Sequence, residues 1–122
     1  MSYNFLSNIQ NFEQFNNIDK AYQEIDVHPD NADENDTTGI IYFKDINTNI
    51  SHEASFLMIR AHANNDLLIQ LIPYGSGVYI PAGEMWSVDS LNGIEGIALR
   101  RAFDKNGSSL TKGKIQWMIG YK

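Results

Sequence analysis

The stretch Val78–Arg101, VYIPAGEMWSVDSLNGIEGIALRR, decides how the fold is read. Two runs of strand-forming residues flank Asn92-Gly93, a dipeptide suited to a two-residue hairpin turn because both positions tolerate positive φ. Pro81-Ala82-Gly83 marks a tight corner before the first run. With Asn92-Gly93 as the loop, Leu91 faces Ile94, Ser90 faces Glu95, Val88 faces Ile97 and Trp86 faces Leu99. Glu84 then meets Arg101, an opposite-charge pair worth about 0.2–1 kcal/mol. Side chains alternate along a strand, so Trp86, Val88, Ile97 and Leu99 share one apolar face. Met85, Ser87, Asp89, Gly96, Ala98 and Arg100 form the other face, which is smaller and more polar and is expected to look towards solvent or a partner.

Working outward, the same period-two pattern recurs on both sides. GIIYFKDI from Gly39 is apolar on both faces, as a central or covered strand would be. In ASFLMIRAH, Phe56, Met58 and Arg60 alternate with Leu57, Ile59 and Ala61. Asn64-Asn65-Asp66 then turns the chain into DLLIQLIPY, which reads as the partner of a second hairpin ending at Pro73. Gly75-Ser76-Gly77 leads into the opening stretch, and Asn106-Gly107 is the tightest point of the polar loop after Arg101. In the last strand, Ile115, Trp117, Ile119 and Tyr121 alternate with Lys114, Gln116, Met118 and Lys122. The tally from residue 39 is about seven short strands, separated by Gly, Asn or Pro, which is the pattern of a sandwich or barrel. Strand spacing does not separate a jelly roll from an immunoglobulin-like order.

Two segments stand apart. In residues 1–25, Phe5, Ile9, Phe12, Phe15 or Ile18, Tyr22 and Ile25 recur every three or four positions, which predicts an amphipathic helix with Ser7 placed to cap it. That segment either closes its own sandwich or forms an arm on a neighbouring subunit. Residues 26–38, DVHPDNADENDTT, read as an acidic surface loop. Asp26, Asp30, Asp33, Glu34 and Asp36 are hard oxygen donors, but their spacing matches no defined calcium loop, and His28 has no second His beside it.

The chain has 122 residues, 43% of them hydrophobic and 20% charged, which fits one globular domain. A formal charge of -6 without a Lys/Arg stripe argues against nucleic acid. There is no cysteine, hence no disulfide or thiolate metal site. No apolar run reaches the roughly 18 residues of a membrane span, and MSYNFLSNIQNF is not a signal peptide.

No catalytic constellation emerges. Gly75-Ser76-Gly77 is only a fragment of a nucleophile elbow. His52 and His62 lie roughly 33 Å apart on an extended strand, too far for one metal. Pro81-Ala82-Gly83-Glu84 is like a cupin turn, but a His-x-His pair is missing. Glu84, Asp89 and Glu95 make no acid/base dyad in the derived register. Trp86 and Trp117 fall on apolar faces and read as core. Tyr74 and Tyr79 are the aromatics expected to stack on a ligand.

The segments YIPAGEMWSVDSLNGIEGIALR and KIQWMIGYK resemble small β-sandwich structural proteins of tailed-phage virions, over roughly the last 45 residues. The residues that carry the resemblance are Pro81-Ala82-Gly83-Glu84, Ile94 to Arg100, and Gln116-Trp117-Met118-Ile119-Gly120-Tyr121. It implies a virion component without enzymatic role: a capsid decoration, head-fibre, collar or tail-associated subunit, usually a homo-oligomer.

The expectation is therefore a mainly β protein: an antiparallel β-sandwich, jelly-roll-like, of about seven strands over residues 39–122, preceded by a helical segment (1–25) and an acidic loop (26–38). Its function would be assembly with itself and other virion proteins, without cofactor, metal, nucleic acid or membrane. The interface residues would be Met85, Asp89, Arg100, Pro81, Glu84, Phe5 and Phe12. The alternative is a module that binds a host-surface glycan or receptor, stacking it on Tyr74 or Tyr79. A small sandwich enzyme is the third reading.

Overall fold

Alternating apolar residues need a second layer to bury them, and this chain supplies it with a second sheet. The computed structural model describes residues 17–46, 54–73, 75, 77–89 and 93–121. Among these residues, eight strands run in the order β1 (Asn17–Asp26), β2 (Ile40–Tyr42), β3 (Ala54–Ala61), β4 (Asp66–Ile72), β5 (Gly77–Ile80), β6 (Met85–Val88), β7 (Gly96–Phe103) and β8 (Lys112–Tyr121). One helical turn, α1 (Phe43–Ile46), follows β2. The strands form two antiparallel four-stranded sheets, β1-β8-β3-β6 and β2-β7-β4-β5.

One core lies between them. The first sheet contributes Leu57, Ile59, Ala61, Ile115, Trp117 and Ile119; the second contributes Leu67, Ile69, Ile80, Ile97, Leu99 and Ala102. Fully burying each large aliphatic side chain stabilises the fold by about 1.5–3 kcal/mol. Gly113 of β8 faces this core, where an added Cβ would lie 2.8 Å from Leu67 and 2.9 Å from Leu99. The close packing of the sheets therefore depends on the missing side chain. Trp117 Nε1 is buried without a hydrogen-bond partner among the described residues.

Three expectations need correction. First, Asn17–Asp26 is a strand, where the spacing predicts a helix over 1–25, and it brings the strands among the described residues to eight. It pairs with β8 along its whole length, from Asn17↔Tyr121 to Asp26↔Lys112. Asn, Asp, Ile and Tyr are weak helix formers, and ten residues of ladder outweigh a loose three-to-four spacing. Residues 1–16 of that expectation lie outside the described residues.

Second, the hairpin at Asn92-Gly93 does not form. β6 pairs with β3 in the first sheet, whereas β7 lies between β2 and β4 in the second. The segment between them crosses from sheet to sheet, and Asn92 itself lies outside the described residues. The inward face nevertheless holds, although Gly96 and Ala98, expected to look towards solvent or a partner, are buried where β7 pairs with β2. Ile97 and Leu99 are buried in the core and Trp86 and Val88 pack against it from the opposite sheet, because a sandwich has one interior.

Third, β3 and β4 are not a hairpin either. The Asn64-Asn65-Asp66 turn is a crossing between the sheets, and the true hairpin is β4–β5. Asn65, only 3% exposed, stitches this crossing to β8. Its Oδ1 accepts from the Lys114 N–H at 2.7 Å and its Nδ2 donates to the Lys114 carbonyl at 3.1 Å. The run GIIYFKDI also ends early as a strand: after Tyr42 it turns into α1, which drops Phe43 into the core.

Candidate functional site

The outer face of the first sheet is split along its strands. Inward burial of Ile59 and Ile115 forces their neighbours outward, and antiparallel register aligns those neighbours into rows. One row, nearer the start of β3, is closed: Met58 and Met118 pair across β3 and β8 and have no solvent exposure, with Phe56 beside them at 8%. The next row is open. Tyr22 of β1 pairs with Gln116 of β8, Gln116 with Arg60 of β3, and Arg60 with Met85 of β6. The row thus crosses all four strands, a span of roughly 14 Å at the usual strand spacing.

Two shallow hollows flank Arg60. One, of about 220 Å³, is lined by Tyr22, Arg60, His62 and Gln116. The other, of about 130 Å³, is lined by Arg60, Gly83, Glu84, Met85 and Ser87. Both fall below the roughly 300–1,000 Å³ of enclosed small-molecule pockets, so this is a platform and not a cleft. Tyr22 is 56% exposed, and its ring meets the His62 ring edge-on at 5.6 Å. His62 Nδ1 accepts the Asn64 N–H at 3.1 Å, and a neutral ring then carries its proton on Nε2. Among the described residues the Arg60 guanidinium and the Gln116 amide make no side-chain hydrogen bond or ion pair.

The residues expected at an interface are divided between the two sheets. Pro81 and Glu84 bound a turn closed by the Glu84 N–H on the Pro81 carbonyl at 2.9 Å, with Gly83 at φ +78°. That is the type II geometry in which Gly belongs at the third position. The turn carries the chain from β5 to β6 and is strapped to β3 by Gly83 N–H to Ala61 O at 3.0 Å. Asp66 braces it by accepting the Ala82 N–H and the Tyr79 hydroxyl, each at 2.7 Å. This contact, with Asp66 accepting the Tyr79 proton, raises the pKa of the phenol. Tyr79 is exposed at its ring, but its hydroxyl is committed to the fold. Met85 joins the open row, packed against the Phe56, Met58 and Met118 cluster. Asp89 is exposed just past β6.

Arg100 sits far from these, on the second sheet. A bulge opposite Leu68/Ile69 pairs Arg101 with Leu68 and Leu99 with Ile69, leaving Arg100 between. Both arginines then reach Asp30. Arg101 donates to Asp30 Oδ1 and Oδ2 at 2.7 Å each, and Arg100 donates to Oδ1 at 3.0 Å. Arg101 is therefore engaged by Asp30 and not by Glu84. The Arg101 hydrogen bond leads the causes that hold the Asp30 carboxyl below its usual pKa. The acidic loop is anchored further by His28 N–H to Leu99 O at 2.7 Å and by Val27 N–H to Thr111 O at 2.9 Å. Asx turns at Asp33 and Asp36 shape its tip. Among the described residues no three His, Asp or Glu side chains converge as a metal site.

Phe5, Phe12, Tyr74 and His52 lie outside the described residues. Sequence reasoning missed Tyr22, Arg60 and Gln116 as a group. The parity of β3 and β8 already placed Arg60 and Gln116 away from the core, but Tyr22 was hidden by the helical reading, and strand order was needed to bring the three together. No family model, curated protein or solved structure matches the chain. No helix among the described residues is long and apolar enough to cross a membrane.

Proposed function

We propose that the chain is a non-enzymatic structural subunit with a jelly-roll topology, a component of a tailed-phage particle that works through the outer face of its first sheet. The strand order β1-β8-β3-β6 over β2-β7-β4-β5 supports the jelly-roll part. It interleaves the two halves of the chain between two sheets, as in the double-sheet barrels common in viral capsid and lectin domains. The observation that carries the functional part is the Tyr22–Gln116–Arg60–Met85 row, in which Tyr22 is exposed and the other three are half-buried, with a guanidinium and an amide that bond to no described side chain. Subunit contacts with itself and with other virion proteins use this strip and the adjoining Pro81–Glu84 turn. Light scattering after gel filtration tests it: a defined oligomer that Met85→Lys dissociates supports the reading. A monomer at every concentration, indifferent to that substitution, removes it.

The row also favours a second reading, recognition of a glycan on a host surface. An exposed tyrosine beside a planar guanidinium and an amide matches the mixed apolar and polar surface of a sugar ring.

A further inference from the structure

We infer that the open row binds a sugar that bears a carboxylate, a uronic-acid-type residue of an acidic glycan, with Arg60 as the group that selects the acid. The inference rests on the second reading above, glycan recognition by this face. The chain has three arginines, and two of them are consumed by Asp30. Arg60 is the third, and it forms the wall between two hollows without an ion pair among the described residues. The chain carries a formal charge of -6, so acidic side chains are abundant, yet none of the described ones closes on this guanidinium. Glu84 lines the smaller hollow but makes no ion pair with Arg60.

A guanidinium presents a planar fork of N–H donors that matches a carboxylate in a bidentate pair, and a lysine ammonium does not. Gln116, directly across from Arg60, adds an amide that can both donate to and accept from hydroxyls. Tyr22 completes the strip with an exposed ring, and His62, held edge-on against it, keeps that ring upright at the hollow's margin. The arrangement supplies one stacking surface, one amide and one anion receptor in a line. A neutral sugar would leave the anion receptor unused, and a small carboxylate would leave the ring and amide unused. The hollows are shallow, so a single ring is held weakly and an acidic polymer gains by occupying successive positions along the strip.

The test is an NMR titration of the full chain, ¹⁵N-labelled, with methyl β-glucuronide, methyl β-glucoside and sodium acetate in parallel at constant ionic strength. The expected result is saturable shifts at Tyr22, Arg60, His62 and Gln116 with the glucuronide, at an affinity about tenfold or more above either control. Arg60→Ala abolishes the preference for the glucuronide, and Arg60→Lys, which keeps the charge but not the fork, loses most of it. Amide dispersion confirms that both variants are folded. Equal response to the glucoside overturns the acid selection and leaves glycan binding standing. Equal response to acetate means an adventitious ion only and overturns the proposal. No shift at this face with either sugar overturns the glycan reading as well. Undiminished preference in Arg60→Ala overturns the role of Arg60.

Discussion

The two arginine sites of this molecule differ in how their charge is answered. On the second sheet, Arg100 and Arg101 converge on Asp30, which receives three charge-assisted hydrogen bonds between 2.7 and 3.0 Å. That site fastens the acidic loop to β7. On the first sheet, Arg60 stands between an amide and a thioether across neighbouring strands, and its guanidinium makes no bond among the described residues. The first arrangement is structural because the fold supplies the counter-charge. The second leaves the counter-charge to come from outside. The bulge at Arg100 is what separates them: without the extra residue, regular alternation would turn Arg101 to the core side with Leu99.

The largest effect should come from breaking the frame around the open arginine. Asn65→Ala leaves the Lys114 N–H without its buried acceptor, while the Lys114 carbonyl keeps the His62 N–H at 3.2 Å, and should cost about 1–3 kcal/mol in urea unfolding. If it costs nothing, the crossing between β3 and β4 is held without the Asn65 side chain, by its backbone bonds His62 N–H to Lys114 O and Asn65 N–H to His62 O. Next comes the clamp itself. Asp30→Ala should release both arginines and speed amide exchange at His28 and Thr38 several-fold, while β3 and β8 keep their protection. Unchanged exchange would mean that the His28 and Val27 backbone bonds suffice.

Acid should mimic that substitution. The Asp30 carboxyl has its pKa lowered in the fold from 3.8, so it stays charged below the pH at which it would protonate in the unfolded chain. Its contribution is complete above about pH 4, and is lost as pH falls through the lowered folded value. Loop exchange measured from pH 5 downwards should therefore rise only below the ordinary carboxylate range, and added salt should move it little if the bidentate geometry dominates over screening. The smallest effect closes the comparison: Arg60→Ala should change stability by no more than about 0.5 kcal/mol, because it removes no intramolecular bond. A larger loss in thermal unfolding would show that Arg60 serves the fold as Arg101 does.

Strand content was largely legible in the residues. Leu57, Ile59 and Ala61, or Ile115, Trp117 and Ile119, announce their inward faces by alternation, and all six are buried. Trp86 lies on an apolar face in the sequence pattern and packs against the core in the fold. The site was only half legible. Met85 and Glu84 line a hollow with Arg60, but Arg100 belongs to a different sheet and Tyr79 spends its hydroxyl on Asp66. Tyr22 was unreadable as a site residue until Asn17–Asp26 was known to be a strand beside β8.

The stretch Val78–Arg101 shows where the limit lies. Which side chains face inward is a local property, set by the two-residue repeat of the backbone, and the sequence alone determined it for Trp86, Val88, Ile97 and Leu99. Which strands pair is not local. A tight-turn dipeptide gains little if joining its two flanks would leave other strands without partners, and here β6 completes one sheet while β7 holds the middle of the other. Only the tertiary structure decided that, because burial of both sheets against one core outweighs the preference of a single turn. The same non-local step drew Tyr22, Gln116 and Arg60, from three distant parts of the chain, into one row.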